Sequence, residues 1–485
     1  MIGSSAIGSS AIESSAIGED RLAHDSVSDA STRLALIFVW GTWAVMLAIA
    51  LACIVRYGRN VPLAEDWLLV PPLTGHEPNL ASWLWAQNNE HRLPLPRLIL
   101  LGLLALTHDF RAGMVLNVLS LATLAAAMIL TARYLRNGTT RWSDAFFPVA
   151  LLHLGDWENL VWGWQFQFVC SAALICALML AIVRQRGALT MRQALAAAAS
   201  LVLLPLTGAS GLVFAVALAP WAAWVGFAQL RQSRARGEFS RGGALLLASA
   251  IVAPLLVGVY FIGYVKPWWN PPNPGRLLTL ETTLRFLALA WGAAARNAWA
   301  RSIVAIVAIL LATTLLLLRA LARLRGAEQQ RAFGLLSFAG GCAVLALAIG
   351  WGRAATDIVS GMPMRYVLFS VPTLCASYFA WELYAPATPR RLMQSALCVI
   401  MLALLPWNTR EGFGLPGRYD IGWRGWYVTG MNAVEHDIDA GVPRLEMARR
   451  HREFLMHWDE AKLAAGMRML HDARIGPFSR LRDDP

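Results

Sequence analysis

Eight stretches of this chain run for 16 to 24 residues without a charged side chain: Leu34 to Val55, Met114 to Ala132, Leu160 to Val183, Leu212 to Leu230, Ala244 to Tyr264, Ile303 to Leu318, Ala332 to Gly350 and Tyr366 to Trp381. In hydrocarbon no water satisfies the backbone, so such a stretch survives only as a helix that closes its own hydrogen bonds. The chain is therefore expected to be all-α and polytopic, an integral membrane protein. Shorter apolar candidates are Leu95 to Leu106, Ala145 to Leu154, Ala194 to Leu206, Thr283 to Ala295 and Leu392 to Leu405. They raise the expected number of transmembrane helices to about 10 to 13. Composition agrees, because 57% of the 485 residues are hydrophobic and 15% charged, against about 25% charged in an ordinary soluble domain.

The net charge of +12 does not point to nucleic acid, since the basic residues are scattered over short inter-helix loops and form no single face. All six cysteines (Cys53, Cys170, Cys176, Cys342, Cys375, Cys398) fall inside apolar runs without metal-ligand spacing. They read as small core residues, with neither a disulfide framework nor a zinc site implied.

Residues 1–32 carry a period-five repeat, Ser4-Ser5-Ala6-Ile7-Gly8 and its two successors, too short and polar to bury a core and expected to be disordered. The segment lacks the organisation of a signal peptide, so the first long run is expected to stay as an anchor. Arginines then sort the loops of the membrane domain, 33–406, because short cytoplasmic loops are enriched in them. The inner set holds Arg133, Arg136 and Arg141; Arg184, Arg186 and Arg192; Arg231, Arg234, Arg236 and Arg241; Arg319, Arg323, Arg325 and Arg331; and Arg390 with Arg391. The intervening loops, chiefly 56–93, 155–164, 265–282 and 351–365, are aromatic and acidic and belong outside, on the periplasmic side of a bacterial inner membrane. Residues 407–485 follow as a small helical extracytoplasmic tail, with an amphipathic stretch from Arg444 through Leu470. One conflict of parity remains: if Leu95 to Leu106 and Met114 to Ala132 both cross, the loop at Arg133 lands outside, so one short segment must be interfacial, re-entrant or merged.

Ionisable groups near lipid are functional candidates. The first outer loop carries Glu65-Asp66-Trp67, where a partly desolvated carboxylate suits a general base, and further on Glu90-His91-Arg92. The loop with Asp156, Glu158, Trp162 and Gln165 interleaves acids and amides with indoles, a composition that binds sugar hydroxyls and ring faces. Lys266 begins a Pro-rich segment at the membrane edge. Arg353 and Arg365 lie on the face where positive charge is disfavoured, which asks for an anion near them; Asp357 and Tyr366 stand beside them. Each group also has a bland reading, as solvated acid, helix cap or local salt bridge with Asp357. Together they suit glycosyl transfer from a lipid phosphate: a carboxylate takes the acceptor proton and cations stabilise the departing phosphate.

The layout of the amino-terminal third resembles the C-type (GT-C) membrane glycosyltransferases, the superfamily of protein mannosyltransferases, aminoarabinose transferases and oligosaccharyltransferases. The likeness is carried by Glu65 and Asp66 in the first outer loop, a Pro-initiated helix (Pro94, Pro96), a polar turn from Thr107 to Arg111, and a long helix ending Ala132-Arg133-Tyr134-Leu135. It implies a catalytic acid at Asp66, with Glu65 the alternate, and Asp156 or Glu158 as a second acid. It also implies a polyprenyl-phosphate-linked sugar donor and a glycan, lipid or protein acceptor, and leaves a divalent cation, Mg or Mn, open. Two other readings stand beside it. A polysaccharide polymerase or ligase of the O-antigen type would depend on Arg353 and Arg365 and tolerate loss of Asp66. A transporter of lipid-linked substrates would show inverted repeats and mid-membrane charges.

Overall fold

The computed structural model describes residues 8–268, 270–356, 361–413, 423–457 and 459–482. These form helices and no strand, apart from one bridge between Asn88 and His91. Eight of the helices are long and apolar enough to cross a membrane: Thr32–Tyr57, Arg111–Leu135, Gly163–Val183, Ala209–Arg234, Arg241–Tyr260, Trp299–Arg323, Gly326–Arg353 and Ala387–Gly412. The first extends back to Gly8 as a continuous backbone helix, which takes in the described part, 8–32, of the segment expected to be disordered.

Side-chain contacts sort the ends of these helices into two faces. At one face Arg136 pairs with Asp144 at 2.7 Å and with Glu382 at 2.9 Å. Tyr378 donates to Asp144 at 2.6 Å and Gln394 to Glu382 at 2.8 Å. Arg184 and Arg186 lie over the Tyr134 ring. Arg331 donates to the Gln185 carbonyl, and Gln229 donates to the Leu189 carbonyl. Four of the arginine-rich loops are tied together directly by these contacts. The fifth, 234–241, joins helices whose adjoining turns meet backbone to backbone at Gly226 and Gly243. This face carries the positive charge that the positive-inside rule expects of an inner face.

Three further segments run between the two faces and, with the eight, make eleven crossings among the described residues. Met191–Leu203 continues as a 3-10 turn to Thr207, and Val367–Tyr384 returns from the outer loop at Arg365 to the inner cluster. The third is broken: Phe146–Leu152, then Leu154–Asp156, then Trp157–Val161. It starts inside, where Trp142 meets the Phe38 ring at 4.9 Å, and ends outside, where Trp162 donates to the Leu63 carbonyl. The break falls at His153, whose backbone is extended (φ −72°, ψ 143°). A Cβ on Gly155 would lie 2.7 Å from the Asn408 carbonyl, and one on Gly412 would collide with the Leu154 carbonyl. Two backbones thus touch at this depth because glycine leaves the space.

The parity conflict ends at Pro94–Thr107, the segment containing Leu95 to Leu106, which does not cross. Near its start Arg97 donates to the Trp83 and Ala86 carbonyls of the outer loop. At its end Asn60, just beyond the first span, donates to the His108 carbonyl and accepts from the Phe110 amide. Both ends are therefore outside, and Arg111–Leu135 runs inward to deliver Arg133 and Arg136 to the inner face. Thr283 to Ala295 does not cross either. Helix Arg276–Ala288 descends, with Ser370 donating to the Phe286 carbonyl. The chain turns at Gly292 (φ 88°) around Asn408, which accepts from the Ala294 amide and donates to the Trp291 carbonyl. It climbs back so that Asn297 reaches Glu411 at 2.5 Å.

Candidate active site

Glu65 and Asp66 sit in a 3-10 turn, Ala64–Leu69, that begins three residues after Val61 leaves the first span's exit loop. Asp66 folds back to accept from the Leu63 amide at 3.2 Å and takes a second backbone hydrogen bond from Trp164. It is 4% exposed. Burial pushes its carboxyl up to about 8, against those two hydrogen bonds. Glu65 is half-buried, and its Oε2 has no partner. Burial raises this carboxyl as well, and the charge of Arg365 pulls it partly back. Ala64, immediately before the pair, has φ 49°, a left-handed conformation that costs a residue with a Cβ roughly 1–2 kcal/mol. Its amide is held by the Leu455 carbonyl of the tail at 2.9 Å.

Arg365 joins this pair to the second acidic segment. Its Nη1 meets Glu158 at 2.8 Å. Its carbonyl accepts from Asn159, which also donates to Asp156 at 2.7 Å. The other Asp156 oxygen, Oδ2, is buried without a partner, as are Gln165 Oε1 and the Trp164 indole N–H. Trp162 serves the frame: its indole bonds the Leu63 carbonyl and its own carbonyl accepts from Asn117.

On the far side of Tyr366 lies a cavity of about 510 Å³, within the usual range for a small-ligand site. Its apolar lining includes Phe168, Leu212, Val213, Leu345, Ile349 and Phe369 from the spans, and its polar lining Glu90, His91, Lys266, Asn270, Arg353 and Tyr366 from the outer loops. Arg353 bridges Glu90 at 3.1 Å and donates to the Tyr366 hydroxyl at 3.2 Å. Burial pushes Glu90 up, but Arg353, with Asn270 and His91 behind it, more than reverses this and leaves the carboxyl below its ordinary value. Burial pushes His91 down to about 4, so its imidazole is neutral, and its Nδ1 has no partner. Lys266 makes no ion pair among the described residues. Helix Ala209–Arg234 starts at the cavity behind Gly208 (φ 108°), with Thr207, Gly208, Ala209 and Ser210 all in the lining. Free amides at such an end favour an anion.

The structure thus brings Glu65, Asp66, Asp156, Glu158 and Arg365 to one side of Tyr366, and Glu90, His91, Lys266 and Arg353 to the other. Arg92 is not among them: its guanidinium is buried against the Tyr260, Ile262 and Trp85 carbonyls, where it closes the end of helix Arg241–Tyr260. Asp357 lies outside the described residues, and the anions beside the late arginines are Glu90 and Glu158. Sequence reasoning placed Asn159, Asn270 and the start of the helix at Ala209 in outer loops without making them site residues. Only the last left a signal, in the small residues of Thr207-Gly208-Ala209-Ser210-Gly211. Among the described residues no three His, Cys, Asp or Glu side chains converge to hold a metal ion.

No family model and no curated protein matches the chain. It is similar to the crystal structure of ArnT from Cupriavidus metallidurans bound to undecaprenyl phosphate, at 15% identity and a TM-score of 0.45, over 92% of this chain and 77% of that one. A likeness of that size assigns no role to any residue.

Proposed function

We propose that this protein is a membrane glycosyltransferase that moves a sugar from a polyprenyl-phosphate donor to a hydroxyl of a cell-envelope glycan, lipid or protein. The observation that carries the reading is the junction at Arg365-Tyr366 between two unlike compartments: carboxylates with partnerless oxygens on one side, an apolar cavity with Lys266 and the Arg353-Glu90 pair in its lining on the other. Such a cavity suits an isoprenoid tail whose phosphate meets Lys266, Arg353 and the start of helix Ala209–Arg234. The sugar then lies toward Tyr366, where the acids begin.

In the transfer, a carboxylate takes the proton of the acceptor hydroxyl as that oxygen attacks the anomeric carbon. The bond to phosphate breaks, and its charge falls on the cations. What supports Glu65 over Asp66 as the proton acceptor is its partnerless Oε2; Asp66 already accepts from the Leu63 amide through Oδ2. Asp66 then keeps the turn in shape through its bond to the Leu63 amide. Glu158 and Asp156 are placed to hold sugar or acceptor hydroxyls.

The test is transfer from a radiolabelled polyprenyl-phosphate sugar panel in proteoliposomes. Glu65→Gln is expected to abolish transfer, and Asp66→Asn to reduce it, with both variants folded. If both keep full activity while Arg353→Ala and Arg365→Ala lose it, the polymerase or ligase reading replaces this one.

A further inference from the structure

The small tail after the last span packs against the residues that flank the acids. The Leu455 carbonyl holds the amide of Ala64, the residue before Glu65. Trp67, the residue after Asp66, is 5% exposed. Its ring meets Phe478 edge-on at 5.7 Å and His457 at 6.4 Å. It also lies so close to Gly466 that a Cβ there would stand 3.1 Å from the indole. Trp157, the residue between Asp156 and Glu158, packs on Trp426 at 6.2 Å. The same tail is moored to the first loop by Arg59, which reaches Glu435 and Asn432 at 3.1 Å each. Both acidic segments are therefore gripped on their flanks by one helical element, and the left-handed turn at Ala64 is held by it.

We propose that the tail, through Leu455, Gly466, Phe478 and Trp426, is the positioning element that fixes Glu65-Asp66 relative to Asp156 and Glu158. This rests on the transferase reading above. The tail residues touch no reacting atom. They set the depth and direction of the turn from which the proton acceptor projects, and they keep water from Asp66. Loosening the grip at Trp67 therefore changes turnover and the titration of the acids, and leaves binding of the lipid donor in the cavity beyond Tyr366 as it was.

The experiment uses the full chain in proteoliposomes, with Gly466→Val to crowd Trp67 and Phe478→Leu to loosen it. The expected result for each is a kcat at least tenfold lower, with KM for the lipid donor within twofold of the parent. The rising limb of kcat with pH also moves toward lower pH as water reaches Asp66. Labelling of carboxyls by a water-soluble carbodiimide, read by mass spectrometry, gives a measure that needs no turnover: Asp66 is protected in the parent and labelled in both variants. If the parent shows no transfer, the transferase reading fails while the labelling still reports on the grip. If the parent transfers, and a folded Phe478→Leu keeps the parental kcat, pH limb and labelling pattern, the positioning proposal is overturned, whether or not Gly466→Val folds. Lower yield with unchanged kcat per folded molecule overturns it too, since that marks a tail that only stabilises.

Discussion

Two buried polar clusters stand at opposite faces of this molecule, and they differ in what is left over. At the inner face Arg136, Asp144, Glu382 and Tyr378 make a closed set: both Asp144 oxygens accept from Arg136, and Glu382 accepts from Arg136, Arg141 and Gln394. None of these four residues carries a buried polar atom without a partner. At the outer face Glu65, His91, Asp156, Trp164 and Gln165 each do. A buried donor or acceptor left unmade costs about 1–3 kcal/mol. The fold tolerates that cost repeatedly in the outer cluster and avoids it within the Arg136 cluster, although Gln185, Gln229, Arg331 and Arg390 beside that cluster each keep one partnerless atom. Saturation reads as architecture, and partnerless groups read as places for something to bind.

The sharpest way to break this contrast is Glu65→Gln. General-base catalysis contributes about 10²–10⁴-fold, so kcat is expected to fall by about 10³, roughly 4 kcal/mol in the barrier, with the thermal midpoint unchanged. A variant with parental kcat sinks the assignment. Arg136→Ala should do the reverse. It leaves Asp144 without its cation, while Glu382 keeps Arg141 and Arg390; the buried unpaired carboxylate costs about 3–5 kcal/mol and shows as a large drop in thermal midpoint with turnover per folded molecule intact. If turnover falls and stability does not, the inner cluster is no mere frame. Arg353→Ala is smaller, an expected rise of about tenfold in KM for the lipid donor with kcat little changed, since one charge-assisted contact is worth about 1.5–3 kcal/mol. An unaltered KM would leave the arginine a partner for Glu90 only.

The finest test is pH. A carboxyl raised by burial stays protonated through neutrality, so kcat should climb as pH rises and level off above about 8, the value to which Asp66 is pushed, the limb belonging to the Glu65-Asp66 pair as a whole. The same shift has a sign in stability. Between about pH 4, where an unfolded Asp loses its proton, and about 8, the folded chain holds a proton the unfolded chain has released. Stability is then lost with rising pH across that window and is flat above it. Asp66→Asn should remove this slope; a slope that persists belongs to other groups.

Arginine placement alone was enough to separate the faces, because charge is expelled from lipid whatever the tertiary structure. The acids of the first loop were legible for the same reason. What stayed hidden was pairing across long stretches of chain. Arg353 finds Glu90 263 positions away and Arg365 finds Glu158 207 positions away, where local reading offered Asp357. Leu95 to Leu106 was ambiguous because a dozen apolar residues look alike whether they dip into lipid or lie along its edge; only Asn60 at the far end of the helix decides. The grip of the tail on Trp67 left no mark in the sequence, since a glycine under an indole has no pattern to announce it.

Helix Pro94–Thr107, which begins and ends on one face, has a mechanical meaning. Leu98 and Leu106 point outward from it at 54% and 84% exposure, two apolar floats on a rod that never sinks through. Because Arg97 and Asn60 lash the first loop to both ends of that rod, the rod and the carboxylate-bearing turn move as one piece, and a transferase of the kind proposed would ride at the height of its lipid donor's phosphate.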